Sequence, residues 1–306
     1  MKAAAFLLSF VFFAGFAPLL SGLIAKIKNA LRMRVGPGVL QPYYDLAKLF
    51  SKEEAVSPAA SWIFTAAPFV VLASALAAAL LVPAFIGPAP LRQAGDLLAL
   101  LFILGLGRFF LALAALDTGS SFGGMGSSRE MFIAGLAEPA FVLVVFSLSL
   151  HFGSTAVSAS SGMHAVSVSC LAAAGALFLL TLAETARIPV DNQETHLELT
   201  MVHEAMLLEY SGRSLALLEL AAHVKQAVFF FLIAQVVFPI EAPAWGSPAQ
   251  AVSWLLWYGV RLALLVVLVA LVEISVAKMR LFRVADLLGF AFALGVLSLV
   301  CVQLGV

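Results

Sequence analysis

KAAAFLLSFVFFAGFAPLLSGLIAK, residues 2–26, carries no charge between Lys2 and Lys26. The uncharged stretch 3–25 exceeds the roughly 20 residues a helix needs to cross the bilayer hydrocarbon. It is longer than the apolar core of a signal peptide, about 7–15 residues, and no small-x-small cleavage site leads into a polar body. It is read as a first membrane helix, retained in the mature protein.

The rest of the chain repeats this pattern. Of 306 residues, 63% are hydrophobic and 11% charged, where a soluble domain carries about 25% charged residues. There is too little polar surface to face water on all sides, so lipid must supply the outer solvent. Net charge is zero, with 17 basic and 17 acidic residues, which argues against nucleic acid as a partner.

Spans are expected at about 3–25, 62–83, 96–116, 129–151, 165–187, 214–238, 252–275 and 285–304. The expected fold is all-α: one polytopic membrane domain over 1–306, with about eight transmembrane helices. The Ser/Gly-rich run 153–162 supplies the turn between the fourth and fifth. One set of loops holds Lys26, Lys28, Arg32, Arg34, Lys48, Lys52, Arg129, Arg187, Arg213, Lys278, Arg280 and Arg283; the other holds Lys2 and Arg92. The positive-inside rule places the rich side in the cytoplasm and both termini outside. Two cytoplasmic loops are long. In 26–61, residues 43–50 read polar on one side and Leu/Phe on the other, a short helix lying at the membrane surface. The other is 188–212.

Ionisable residues inside the spans stand out, because each costs about 2.5–3.5 kcal/mol on insertion scales. They are Arg108, Glu130, Glu138, Glu184, Glu219, Lys225, Arg261 and Glu273. So many of both signs suggest an internal polar path for protons or ions, although fixed structural pairs would also place charges there. The loop 188–212 adds Asp191, Glu194, Glu198, Glu204 and Glu209, with His196 and His203. Glu194 and Glu198 would share one face of a helix. The cluster reads as an ion entry or as a solvated loop.

Metal and redox chemistry find no support. His203-Glu204 starts like a zinc-protease motif, but Leu207 stands where the second His belongs. His151, His164 and His223 are isolated and read as packing or interfacial residues. Cys170 and Cys301 each lie in an apolar run, outside any metal-spaced pair, and read as inert thiols.

Three stretches carry a family resemblance: RVGPGVLQPYYDLAKLF at 34–50, DTGSSFGGMGSSREMFIAGLAEP at 117–139, and RIPVD at 187–191 through EYSG at 209–212. They resemble the membrane subunit shared by respiratory complex I and membrane-bound [NiFe] hydrogenases. The second stretch looks most like the hydrogenase-4 component C and formate hydrogenlyase subunit 4 type. One departure is Val35, where the family has a second arginine before Gly-Pro.

The resemblance implies a membrane-anchoring, ion-coupling subunit without catalytic residues of its own. The charges and the resemblance together give an ion path of Glu130, Glu138, Glu184, Asp191, Glu194, Glu198, Glu204, Glu209, Glu219, Lys225, Arg261 and Glu273, of which the resemblance itself carries Glu138, Asp191, Glu194, Glu198 and Glu209. The implied docking residues are Arg34, Gly36, Pro37, Asp45, Lys48, Asp117, Arg129, Arg187 and Tyr210. Implied partners are soluble [NiFe] hydrogenase-like large and small iron–sulfur subunits, a ferredoxin-like subunit, antiporter-like membrane subunits and membrane lipid. The [NiFe] centre and the iron–sulfur clusters would sit in those partners, since two distant cysteines cannot hold a cluster. The implied location is the plasma (inner) membrane. Two other readings are a quinone-site subunit of a complex I-type enzyme and a stand-alone ion transporter. The transporter would have two related halves with a broken helix in each, and neither is visible.

Overall fold

In lipid every backbone polar group must be satisfied internally, so apolar runs of this length become helices. The computed structural model describes residues 2–82, 95–157, 167–192, 201–237 and 248–305. Ten α-helices are found among them: α1 (Lys2–Leu31), α2 (Gln41–Phe50), α3 (Trp62–Leu81), α4 (Leu97–Asp117), α5 (Ser121–Phe152), α6 (Val168–Glu184), α7 (His203–Leu207), α8 (Gly212–Val237), α9 (Pro248–Ser275) and α10 (Leu281–Leu304). Seven are long and apolar enough to cross a membrane. The fifth expected span appears as α6, which is apolar but only 17 residues long. The chain is a polytopic membrane protein.

Local chemistry marks the helix ends. Ser61, Asp96 and Ser167 cap α3, α4 and α6, their side-chain oxygens accepting from the N–H groups of Ile63, Leu98 and Cys170. Gly153 ends α5 in the left-handed region (φ 68). Proline at the first turn of α2 costs no helical bond.

α8 is the central helix, packed against α1, α2, α3, α6 and α9. Phe229, Phe230 and Phe231 on it are all buried. α10 lies along α5 and α6, and α3 along α4. The largest departure from the expected spans is α5, which begins at Ser121 rather than near 129. Its first turns are stabilised by packing. A Cβ on Gly126 would sit 2.9 Å from Ala205 Cβ and 3.0 Å from the Val202 carbonyl, so α7 rests directly on the α5 backbone.

Candidate functional site: buried ion pairs beside a charged cavity

Most of the intramembrane charges meet one another. Arg108 on α4 donates through Nη1 to Glu184 Oε1 at the end of α6 (2.5 Å) and through Nη2 to Glu138 Oε1 on α5 (2.6 Å). Lys225 on α8 closes the group at 2.7 Å from Glu184 Oε2. Four helices thus contribute two cations and two carboxylates. The Glu184 side chain is 10% exposed, whereas that of Glu138 is 50% exposed on the outer surface of the bundle.

A second group lies just beyond the end of α6. Arg187 Nη1 donates to Glu273 Oε1 on α9 (2.7 Å), and Lys28 Nζ on α1 sits 3.1 Å from Glu273 Oε2. Arg187 Nη2 donates to Gln226 Oε1 on α8 (2.9 Å). Ser21 on α1 also donates to that oxygen and bonds His223 Nδ1, both at 2.8 Å. The local backbone aims Arg187 inward. The Arg187 N–H bonds the Leu182 carbonyl and the Ala186 N–H bonds the Ala183 carbonyl, the paired bonds of a helix stop. That stop puts Ala186 in the left-handed region (φ 49), where an L-residue is strained.

A cavity of about 300 Å³ connects this group to the loops. Its walls include Lys28, Asp45, Arg187, Asp191, Glu204, Glu219 and Glu273. A smaller cavity of about 50 Å³ is lined by Arg108, Glu130, Glu184 and Lys225, and shares Thr185 and His203 with the larger one. A third, of about 10 Å³, opens between Arg108, Glu184 and Glu138. Polar walls and ion pairs therefore run from the side of Asp45, Asp191 and Glu204 to the outer surface of α5. In lipid such arrangements occur along ion pathways and also as fixed structural pairs.

The family model for NADH dehydrogenase matches residues 3–303. The chain belongs to the NADH dehydrogenase family. It is 33% identical over 289 residues to hydrogenase-4 component C of Escherichia coli K12, covering 92% of this chain and 90% of that one. It is 33% identical over 270 residues to formate hydrogenlyase subunit 4 of the same organism, covering 87% of each. NADH-quinone oxidoreductase subunit 8 of Rhodothermus marinus is 32% identical over 235 residues, covering 70% of this chain and 66% of that one. A chain in the structure of the membrane-bound sulfane sulfur reductase, an archaeal respiratory membrane complex, shares the fold. Its TM-score is 0.84 at 17% identity, over 98% of this chain and 99% of that one.

Several family-motif residues turn inward. Asp191 is 1% exposed; its Oδ1 is 2.6 Å from Lys278 Nζ, and its Oδ2 accepts from the N–H groups of Val202 and His203. Arg129 Nη1 donates to the Met201 carbonyl at 2.8 Å. Tyr210 is 4% exposed, stacks on Phe64 with centroids 4.0 Å apart, and donates to the Phe64 carbonyl. Burial and the nearby carboxylates Asp117 and Glu54 raise the Tyr210 hydroxyl above the usual phenol range. Asp117 accepts from the Ser61 N–H at 2.7 Å, tying the end of α4 to the start of α3.

Arg34, Pro37, Lys48 and Glu209 are exposed, and Gly36 packs on Asn29. Arg261 is buried over the rings of Trp257 and Tyr258, about 18 Å along α9 from Glu273, at ~1.5 Å per residue. It lines none of these cavities. Glu194, Glu198, His196 and His164 lie outside the described residues. Among the described residues, no group of three His, Cys, Asp or Glu side chains is placed to hold a metal ion.

Sequence reasoning placed Lys28 and Lys278 among the loop charges and His223 among packing residues, and passed over Ser21 and Gln226. Gln226, at the head of the apolar run AVFFFLIA, was the one legible signal, because a buried amide requires a partner.

Proposed function

We propose that the chain is the membrane-anchoring, ion-coupling subunit of a group 4 membrane-bound [NiFe] hydrogenase-type complex. The observation that supports this best is the buried ion-pair array from Lys28–Glu273–Arg187 to Lys225–Glu184–Arg108–Glu138. It adjoins a charged cavity at one end and the bundle surface at the other. Carboxylates held by two cations each can exchange partners in small steps, so a charge change in the loops can be passed along the array. Redox energy released in soluble large and small subunits, fed by a ferredoxin-like subunit, would drive protons or sodium ions along this route. Antiporter-like membrane subunits would receive the displaced charge. The [NiFe] centre and iron–sulfur clusters belong to those partners. The complex would sit in the inner membrane, with both termini of this chain outside the cytoplasm.

A quinone-site subunit of a complex I-type enzyme is the second reading, favoured by the cavity volume, which is at the low end for small-molecule sites. The wall chemistry weighs against it. Seven charged side chains line the space, where small-molecule sites carry only a few placed polar groups.

Glu138→Gln separates a relay from a fixed pair. The amide keeps the shape and a hydrogen bond to Arg108 but cannot carry a proton. In vesicles containing the assembled complex, the ratio of protons moved to electrons transferred is expected to fall. A normal ratio in a fully assembled variant rejects the relay.

A further inference from the structure

We infer that Asp191 is a positioning residue of the ion route rather than one of its carriers. Anchored by Lys278, it holds α7 so that His203 stands in the walls of both larger cavities. The inference rests on the ion-coupling reading for what the positioning serves. Its structural content stands on the bonds of Asp191.

A carboxylate offers about four lone-pair sites, and four donors fill those of the buried Asp191. Oδ1 takes Lys278 Nζ (2.6 Å) and the N–H of Asn192 (2.8 Å). Oδ2 takes the N–H groups of Val202 (3.1 Å) and His203 (3.0 Å). A carrier must release one bond to take a proton and re-form it to pass the proton on. Glu184 and Glu273 are held by lysine and arginine side chains, which can swing to another partner. Three of the four donors to Asp191 are main-chain N–H groups, which the backbone fixes. A buried N–H that loses its acceptor is costly.

The bonds lead to α7. The first N–H groups of a helix have no carbonyl of their own to bond, and Asp191 supplies the acceptor from 11 and 12 residues away. With its other side on Gly126 of α5, α7 is held from two directions. Its His203 lines both the cavity of about 50 Å³ and that of about 300 Å³, and its Glu204 lines the larger. Behind Asp191, residues 187–191 are laced to 273–279 at three points. Arg187 bonds Glu273 (2.7 Å), the Met279 N–H donates to the Pro189 carbonyl (2.9 Å), and Lys278 bonds Asp191. The clasp therefore joins the buried ion pairs to a residue that the two cavities share.

Backbone hydrogen exchange on the complete complex tests this. In the unaltered complex the Val202 and His203 amides are expected to be protected, although they precede the first helical bond of α7. Asp191→Asn sets an NH2 group against these donors or against Lys278. Exchange at both amides is then expected to quicken about tenfold or more, as for loss of a bond to a charged group. Lys278→Met is expected to quicken it less, and Lys278→Arg to retain most of the protection. The ratio of ions moved to electrons transferred is expected to fall in step with protection across the three variants. Rapid exchange at Val202 and His203 in the unaltered complex overturns the inference without any variant. Unchanged protection in Asp191→Asn overturns it too, and a lowered ratio beside it makes Asp191 a carrier. The ion-coupling reading fails separately: lost protection in Asp191→Asn together with a normal ratio in Glu138→Gln rejects coupling and leaves the clasp standing.

Discussion

Arg187 and Glu273 are 86 residues apart in the chain, and their side chains meet at 2.7 Å between α6 and α9. The guanidinium reaches Glu273 with one nitrogen and Gln226 with the other. Lysine offers a single point charge and cannot span both acceptors. Removing one partner of a buried pair costs about 3–5 kcal/mol when the other charge is left uncompensated; here Lys28, 3.1 Å from Glu273, softens the loss of Arg187.

Arg187→Gln is therefore expected to lower the thermal midpoint of the purified complex clearly, and Arg187→Lys to lower it less. Adding Glu273→Gln to Arg187→Gln should cost less than the sum of the two single changes, because the bond between them can be lost only once. Independent, additive losses in the double variant would show that the two residues do not act as a pair.

Tyr210 joins the 201–212 segment to α3 in two separable ways. Tyr210→Phe removes only the bond to the Phe64 carbonyl and should cost about 1 kcal/mol. Tyr210→Ala also removes the stacked ring and should cost about 3–5 kcal/mol. Limited proteolysis is the readout: cleavage between residues 201 and 212 should quicken slightly in the first variant and strongly in the second. Equal rates in both would mean that the ring contact contributes nothing.

Gly212 begins α8 with φ +53, and a Cβ there would lie 2.5 Å from the Glu53 carbonyl oxygen. Gly212→Ala combines backbone strain with this clash. Strain of this kind costs about 1–3 kcal/mol by itself. The expected result is release of residues 52–55 from Ser211 and Ser214, detected as faster backbone hydrogen exchange at Ala55, whose N–H now donates to Ser211 Oγ. Unchanged exchange at Ala55 would count against the clash.

Topology can be checked directly. With Cys170 and Cys301 replaced by Ala, a cysteine at Ser51 should react with an impermeant reagent only from the cytoplasm. A cysteine at Ser154, exposed beyond the end of α5, should react only from outside. Reaction of both from one side would remove the expected odd number of crossings between them.

Much of the fold was legible because its cause is local. An apolar run bounded by charge or proline has one low-energy solution in lipid, and the expected spans near 62–83 and 96–116 fall almost on α3 and α4. The short helix expected at 43–50 was legible for the same reason, its Leu/Phe pattern lying within α2. The start of α5 was not, since GGMGSSR has poor helix propensity and its helicity depends on the close approach of α7 to Gly126.

The candidate site divides along the same line. Residue order is enough to mark Arg108, Glu138, Glu184, Lys225 and Glu273 as anomalous, because charge in hydrocarbon is costly wherever it lies. Their partners follow from packing and from nothing shorter in range. Pairing depends on which helix faces meet, and residues 76 or 86 apart are brought together by packing alone. Packing also separates Arg261 from the array, over two aromatic rings. Asp191, Arg187 and Tyr210 are drawn inward in the same way: a loop of about 25 residues can bury its polar groups only where other elements supply the matching donors and acceptors.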